Sequence, residues 1–164
     1  MRENLWSGIL TAAFYILALA VLPWVVVFKL SPRIVAYVSH VGIDLGEILC
    51  MTTISGVLLA VLSLIYRLHP RGSLASLGAG IGSTLVSLYL EIFVLSFGKP
   101  SALGRVTLRQ SMEGTEATLL MDFRGIILIL AIGAILSAGY HVITFWTSRK
   151  EMRGPPKSQL EAGT

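Results

Sequence analysis

Four long runs of apolar residues dominate the chain, at about residues 6–28, 44–66, 73–97 and 124–146. Each run is long enough for a helix, rising about 1.5 Å per residue, to cross about 30 Å of hydrocarbon. Polar stretches separate the runs, so successive helices would cross a bilayer in alternating directions. The pattern predicts an all-α transmembrane fold, a four-helix antiparallel bundle.

Two of the polar connections are long enough to form structure of their own. Ser31 followed by Pro32 is typical of an N-cap and a first helical residue, which predicts a short interfacial helix at about 32–41. Residues 99–123 alternate polar and apolar side chains about a turn at Glu113-Gly114. This predicts a β-hairpin on the outer side of the membrane, the alternative being an irregular loop of the same length.

Further residues mark helix borders and a bend. Gly42 is typical of a helix end, and Asp44 with Glu47 three residues later has the spacing of a capping box at the start of the second span. Pro23 lacks a backbone donor and crowds the preceding turn, so it predicts a kink near the far end of the first span.

Composition agrees with a membrane protein and excludes several other classes. Apolar residues make up 54% of the chain, charged residues 13%, and the mean hydropathy is +0.77, which exceeds what a soluble core of this size needs. Cys50 is the single cysteine, so an intramolecular disulfide and a thiolate metal site are both excluded. We expect no cofactor and no metal.

The distribution of positive charge suggests an orientation. The formal net charge of +4 arises mostly at the span ends and in the C-terminal residues. Because basic residues concentrate in the shortest loop and after the fourth span, we expect an integral cell-membrane protein with both termini in the cytoplasm. Residues 1–148 would form the four-span domain and 149–164 a mobile basic tail. The expected partners are the lipid bilayer and a second copy or a partner membrane subunit; no nucleic-acid partner is expected.

Small and hydroxyl-bearing residues follow one face of each of the last three spans. Such residues let helix backbones approach closely in lipid, so this face is predicted to be a helix-packing seam. Its main members are Gly56 and Ala60 on the second span, Gly80, Thr84 and Ser87 on the third, and Gly133 and Ser137 on the fourth.

A carboxylate, Glu91, lies inside the third span, seven residues before Gly98. At this depth, on the order of 10 Å below the helix end, it must be paired, protonated or hydrated. Arg124, Glu47 and Asp122 are predicted at similar depths, and with Glu91 they form a candidate ion or proton site. The alternatives are an arginine–carboxylate pair that fixes helix register, or a protonated Glu91 bonded to a backbone carbonyl.

Other titratable or nucleophilic residues do not form a recognisable site. His141 has no second ligand three or four residues away, so it is interpreted as an interfacial histidine on the inner side that does not touch Glu91. No nucleophile with a base can be assembled, so an enzyme is not expected. The cysteine motifs of tetraspanin and claudin loops are absent, and the first span lacks the acidic residue of small multidrug transporters.

These features favour a non-enzymatic structural or accessory subunit that packs or oligomerises through its small-residue seams, with the outer hairpin as a contact surface. The alternative is a small oligomeric channel or transporter in which Glu91 is a cation or proton site.

Overall fold

The computed structural model describes residues 2–112 and 115–153. Its helices are α1 (Arg2–Tyr15), α2 (Leu22–Lys29), α3 (Pro32–His40), α4 (Leu45–Leu68), α5 (Leu74–Leu95) and α6 (Arg124–Arg153), and its strands are β1 (Arg105–Met112) and β2 (Thr115–Asp122). A π-helical segment, Ile16–Val21, joins α1 to α2. The described chain is therefore mostly helical, with one small two-stranded sheet.

Four helical stretches of the described chain are long and apolar enough to cross a membrane, which confirms that part of the prediction. They are Leu5–Lys29, Leu45–Leu68, Leu74–Leu95 and Arg124–Glu151. The last helix is longer than expected. It includes residues 149–153, which were assigned to a mobile tail; the rest of that tail, residues 154–164, lies outside the described residues.

Helix α4 occupies the middle of the packing. It contacts α1 and the π-helical segment on one side and α5 on another, and α6 packs against α5. The Arg67 Nη1 donates to the Ser7 Oγ over 2.6 Å, and the Trp24 Nε1 donates to the Thr53 Oγ1 over 3.0 Å. These two hydrogen bonds hold both ends of the first helical stretch against α4.

The π-helical segment ends two residues before Pro23 and packs closely against α4. A Cβ added to Gly56 would lie only 2.7 Å from the Leu19 Cβ and 3.3 Å from the Tyr15 carbonyl oxygen. A widened turn also removes the clash between a proline ring and the preceding carbonyl. Pro23 was expected to kink the helix, and the irregularity that accompanies it is this π-helical turn.

Local signals account for the observed helix ends. The Asp44 Oδ1 accepts hydrogen bonds from the backbone N–H groups of Gly46 and Glu47, at 2.9 and 3.1 Å, so the predicted N-cap of α4 is confirmed. The Ser73 Oγ accepts from the Ser76 N–H at the start of α5. Gly42 follows α3 with a φ of +85°, the left-handed conformation that favours glycine after a helix.

The end of α5 is fastened to the base of the hairpin by a fully buried serine. The Ser96 Oγ, in a residue that is 0% exposed, accepts a hydrogen bond from the Gly104 N–H over 3.0 Å. The Gly104 carbonyl then accepts from the Phe123 N–H over 2.9 Å. Two bulky residues of this connection, Phe97 and Leu103, adopt positive φ angles of 49° and 46°.

The predicted β-hairpin is confirmed as two antiparallel strands with Arg105 opposite Asp122 and Met112 opposite Thr115. The predicted turn at Glu113-Gly114 lies outside the described residues. At the base of the hairpin Val106 is buried, whereas Leu119 and Leu120 on β2 are exposed. Because consecutive strand residues point to opposite faces, each face of this ribbon carries an exposed leucine.

Candidate functional site

Helices α5 and α6 are in close contact over one part of their length. At Gly80 an added Cβ would lie 2.7 Å from the Nδ1 of His141, so the imidazole ring rests directly on the α5 backbone. One turn farther along α5, the Thr84 and Ser137 hydroxyl oxygens lie 3.2 Å apart. These two pairs establish an antiparallel register for the two helices.

A partly open cavity of about 510 Å³, called the α5–α6 cleft below, lies between the two helices. The register places Leu130 opposite Glu91, at the end of the cleft away from His141. The α6 wall has open space, since nothing lies within 4 Å of a Cβ added to Gly133. The cleft is lined by Tyr15, Ser83, Thr84, Ser87, Leu88, Glu91, Ile129, Leu130, Gly133, Ala134, Ser137 and His141.

Three hydroxyl groups of the cleft have their protons engaged. The Ser83 Oγ and Thr84 Oγ1 both donate to the Gly80 carbonyl oxygen, at 2.8 and 3.1 Å. Because a hydroxyl has one proton, Thr84 must accept from Ser137 in their shared hydrogen bond. These three hydroxyls therefore have only lone pairs to offer, whereas the Ser87 hydroxyl, which also lines the cleft, donates to no described residue.

Glu91 is an exposed residue at the end of this cleft away from His141. The described part of the chain offers its carboxylate neither an ion-pair partner nor a hydrogen-bond partner. Its carboxyl oxygens thus add acceptors without a partner to a wall that already offers the lone pairs of Ser83, Thr84 and Ser137. A group that supplies hydrogen-bond donors or positive charge would complement these oxygens.

The three other residues of the predicted ion or proton site lie elsewhere. Asp122 precedes α6, and its Oδ1 accepts from the Arg124 backbone N–H over 3.0 Å. Glu47 lies at the start of α4, with its Oε2 4.0 Å from the position of a Cβ on Gly98. Among the described residues no ion pair joins any of the four, and only Glu91 lines the cleft.

The half-buried His141 ring packs among aromatic side chains of α4 and α6. Its ring makes edge contacts with Tyr66 of α4 and with Tyr140, at centroid distances of 5.3 and 5.8 Å. Its Nδ1 is buried and has no hydrogen-bond partner among the described residues. It does not bond to Glu91, in agreement with the expected separation, yet the two residues line opposite ends of one cleft.

The seam residues divide into two groups. Gly56, Ala60 and Gly80 are buried, as expected of positions at which helices touch, and Thr84 bonds across to Ser137. Ser87 and Gly133, in contrast, face the open part of the cleft. The small residues thus form a packed contact at Gly80 and Thr84, and at Ser87 and Gly133 they line the cleft.

Two hydroxyl-bearing lining residues, Tyr15 and Ser83, were not singled out from the sequence. Tyr15 belongs to the first helical stretch and immediately precedes the π-helical segment. Ser83 lies beside the predicted seam. The helical periodicity of α5 places Ser83 next to the face that carries Thr84, so the sequence could have indicated it. No local pattern indicates that Tyr15 of the first helical stretch lies at the same cleft.

Comparison of the chain with protein-family models, with curated proteins and with solved structures finds no match. Function must therefore be argued from the cleft and the helices that form it.

Proposed function

We propose that this chain is an integral cell-membrane protein with both termini in the cytoplasm, and that it acts as a non-enzymatic accessory subunit. In this proposal the four apolar helices form one transmembrane bundle, α3 lies along the interface, and the hairpin is on the outer side. Another membrane helix, from a second copy or a partner subunit, covers the α5–α6 cleft.

The observation that carries the proposal is the open, acceptor-lined cleft on an otherwise apolar helical surface. Acyl chains offer no donors, so a cleft lined by Glu91, Ser87 and other acceptors is costly to leave against lipid. None of the residues in the most apolar stretch of α6 is buried. Helix α6 thus has a large surface available for a further helix.

The hairpin supports the same role from outside the helices. Leu119 and Leu120 are both more than half exposed and lie on opposite faces of the ribbon. Leu103, at the base of the hairpin, is exposed as well. Apolar residues exposed on both faces of a small ribbon favour a contact surface for another protein.

Site-specific photo-crosslinking in native membranes tests the proposal. A photoreactive residue at Ser87, which faces the cleft, should crosslink to protein. The same residue at Leu85, which is 60% exposed on another face of α5, should crosslink mainly to lipid. Equal lipid labelling from both positions would contradict the accessory role.

A small oligomeric channel or transporter with Glu91 as its cation or proton site is the second candidate. The unpaired carboxylate in a cavity of about 510 Å³ favours it. In proteoliposomes the parent protein would conduct protons or cations, and Glu91→Gln would abolish the flux with the fold intact. Absence of flux in the parent under both gradients would remove this candidate.

A further inference from the structure

The position of Glu91 limits what kind of chain can cover the cleft. Arg124 is the nearest basic residue along α6, and it precedes Leu130, the residue opposite Glu91, by six positions. At about 1.5 Å per residue this is about 9 Å closer to the helix end. The structure shows no ion pair between Arg124 and Glu91.

A second copy of this chain would not supply the missing charge. The apolar interiors of the four candidate spans contain no Lys or Arg. A copy in the same orientation places its Glu91 and its Arg124 at the same depths as those of the first chain. It therefore brings a like charge to the level of Glu91 and no cation closer than the chain's own.

The shape of the cleft favours a helix as its occupant. Its α6 wall extends from Ile129 to His141, about 18 Å along the helix axis. The open space at Gly133 lets another backbone approach closely. A helix can follow these walls and place one long side chain beside Glu91.

We infer that the cleft is the docking site for a transmembrane helix of a different chain, and that a Lys or Arg of this helix pairs with Glu91. Because α5 ends at Leu95, four residues after Glu91, the pair lies about 6 Å inside the end of this helix, where the low dielectric strengthens it. The donors of the same cationic group, or of its neighbours, bind the acceptor lone pairs of Ser87 and Thr84. This inference rests on the accessory role and adds the chemistry of the partner.

Binding of synthetic transmembrane peptides to the purified protein in lipid nanodiscs tests the inference. One peptide is a Leu/Ala helix of about 21 residues with a single Lys about 6 Å from the end that matches the end of α5. The matched peptide has Leu in place of this Lys. Association is measured by energy transfer between labels on the peptide and on the protein.

The parent protein should bind the Lys peptide roughly tenfold or more tightly than the Leu peptide. Glu91→Gln should remove this preference, and Arg124→Gln should leave it intact. Ser87→Leu, which fills the cleft without removing the charge, should weaken the binding of both peptides. Circular dichroism and the elution volume establish that each variant retains its fold.

Three outcomes would overturn the inference: equal binding of the Lys and Leu peptides, a Lys preference that survives in Glu91→Gln, or cleft crosslinks that join only copies of this chain. The first two would leave the accessory role standing if Ser87 still crosslinks to protein. If Ser87 does not crosslink to protein but the parent still prefers the Lys peptide, the accessory role is contradicted. The charge selectivity of the cleft is then retained.

Discussion

The Gly80 backbone and the His141 imidazole are in direct contact, because a Cβ at Gly80 would lie only 2.7 Å from the His141 Nδ1. This contact and the Thr84–Ser137 hydrogen bond fix the register of α5 and α6. The same register places Glu91 at the other end of the cleft.

Gly80→Ala is expected to destabilise the protein by about 1–3 kcal/mol, because the added methyl group overpacks the contact with His141. The free energy of unfolding in mixed detergent micelles measures the effect. Gly78→Ala is the matched control, since nothing lies within 4 Å of its added Cβ. It should be neutral or stabilising, as Ala is a better helix former than Gly.

A double variant shows whether the contact with His141 causes the loss of stability in Gly80→Ala. In a His141→Ala background the added methyl group has room, so Gly80→Ala should have little further effect. An equal loss with and without His141 would show that the contact is not the reason.

Gly56→Ala is expected to destabilise at least as strongly, toward the upper end of about 1–3 kcal/mol. Its added Cβ would meet the Leu19 Cβ at 2.7 Å and the backbone atoms of Tyr15 and Ala20 at 3.3 and 3.4 Å, and a backbone cannot rotate away. Gly82→Ala, with only an ordinary contact of 3.5 Å to Leu62, is the control for the same unfolding measurement. Similar losses at both glycines would contradict the prediction.

The features that the sequence predicted correctly are those with a local cause. Asp44 caps α4 because its carboxylate can reach the next two free N–H groups, and Gly42 ends α3 because it tolerates positive φ. The alternation of residues 105–122 likewise predicted the hairpin. Helix length and apolar content predicted the four long helices.

The features that the sequence did not indicate depend on pairing between distant residues. His141 lies against Gly80 because of the register between α5 and α6, which no local pattern specifies. The same register keeps Arg124 away from Glu91. Phe97 and Leu103 have positive φ although neither is a glycine, so composition gives no sign of these conformations.

Ser96→Ala is expected to cost about 1–3 kcal/mol, because it leaves the buried Gly104 N–H without an acceptor. Amide hydrogen exchange at Gly104 should accelerate along with the loss of stability. Ser39→Ala is the control: this exposed hydroxyl only donates to the Ala36 carbonyl within its own helix, so the change should stay within about 0.5 kcal/mol. Unchanged exchange at Gly104 would be inconsistent with the role assigned to Ser96.

Asp44→Ala is expected to destabilise by about 0.5–2 kcal/mol, because the Gly46 and Glu47 N–H groups lose their acceptor. Asp44→Asn retains an oxygen acceptor and should retain most of the stability. Thermal unfolding of the two variants, with hydrogen exchange at Gly46 and Glu47, measures the difference. A loss in Asp44→Asn as large as in Asp44→Ala would point to the charge and not to the cap.

The π-helical segment has a consequence for chain length in the first span. On its N-terminal side the contacts with α4 include Gly8 near Arg67, and on its C-terminal side Trp24 bonds to Thr53. A widened turn contains one residue more than a regular turn, so it absorbs a single extra residue without rotating the rest of the helix. If Ile16–Val21 became regular helix with its full length, the second half would rotate by roughly 100° relative to the first half, and Trp24 would point away from α4. Deleting one residue within this segment would instead give a regular helix in which Trp24 still points toward α4.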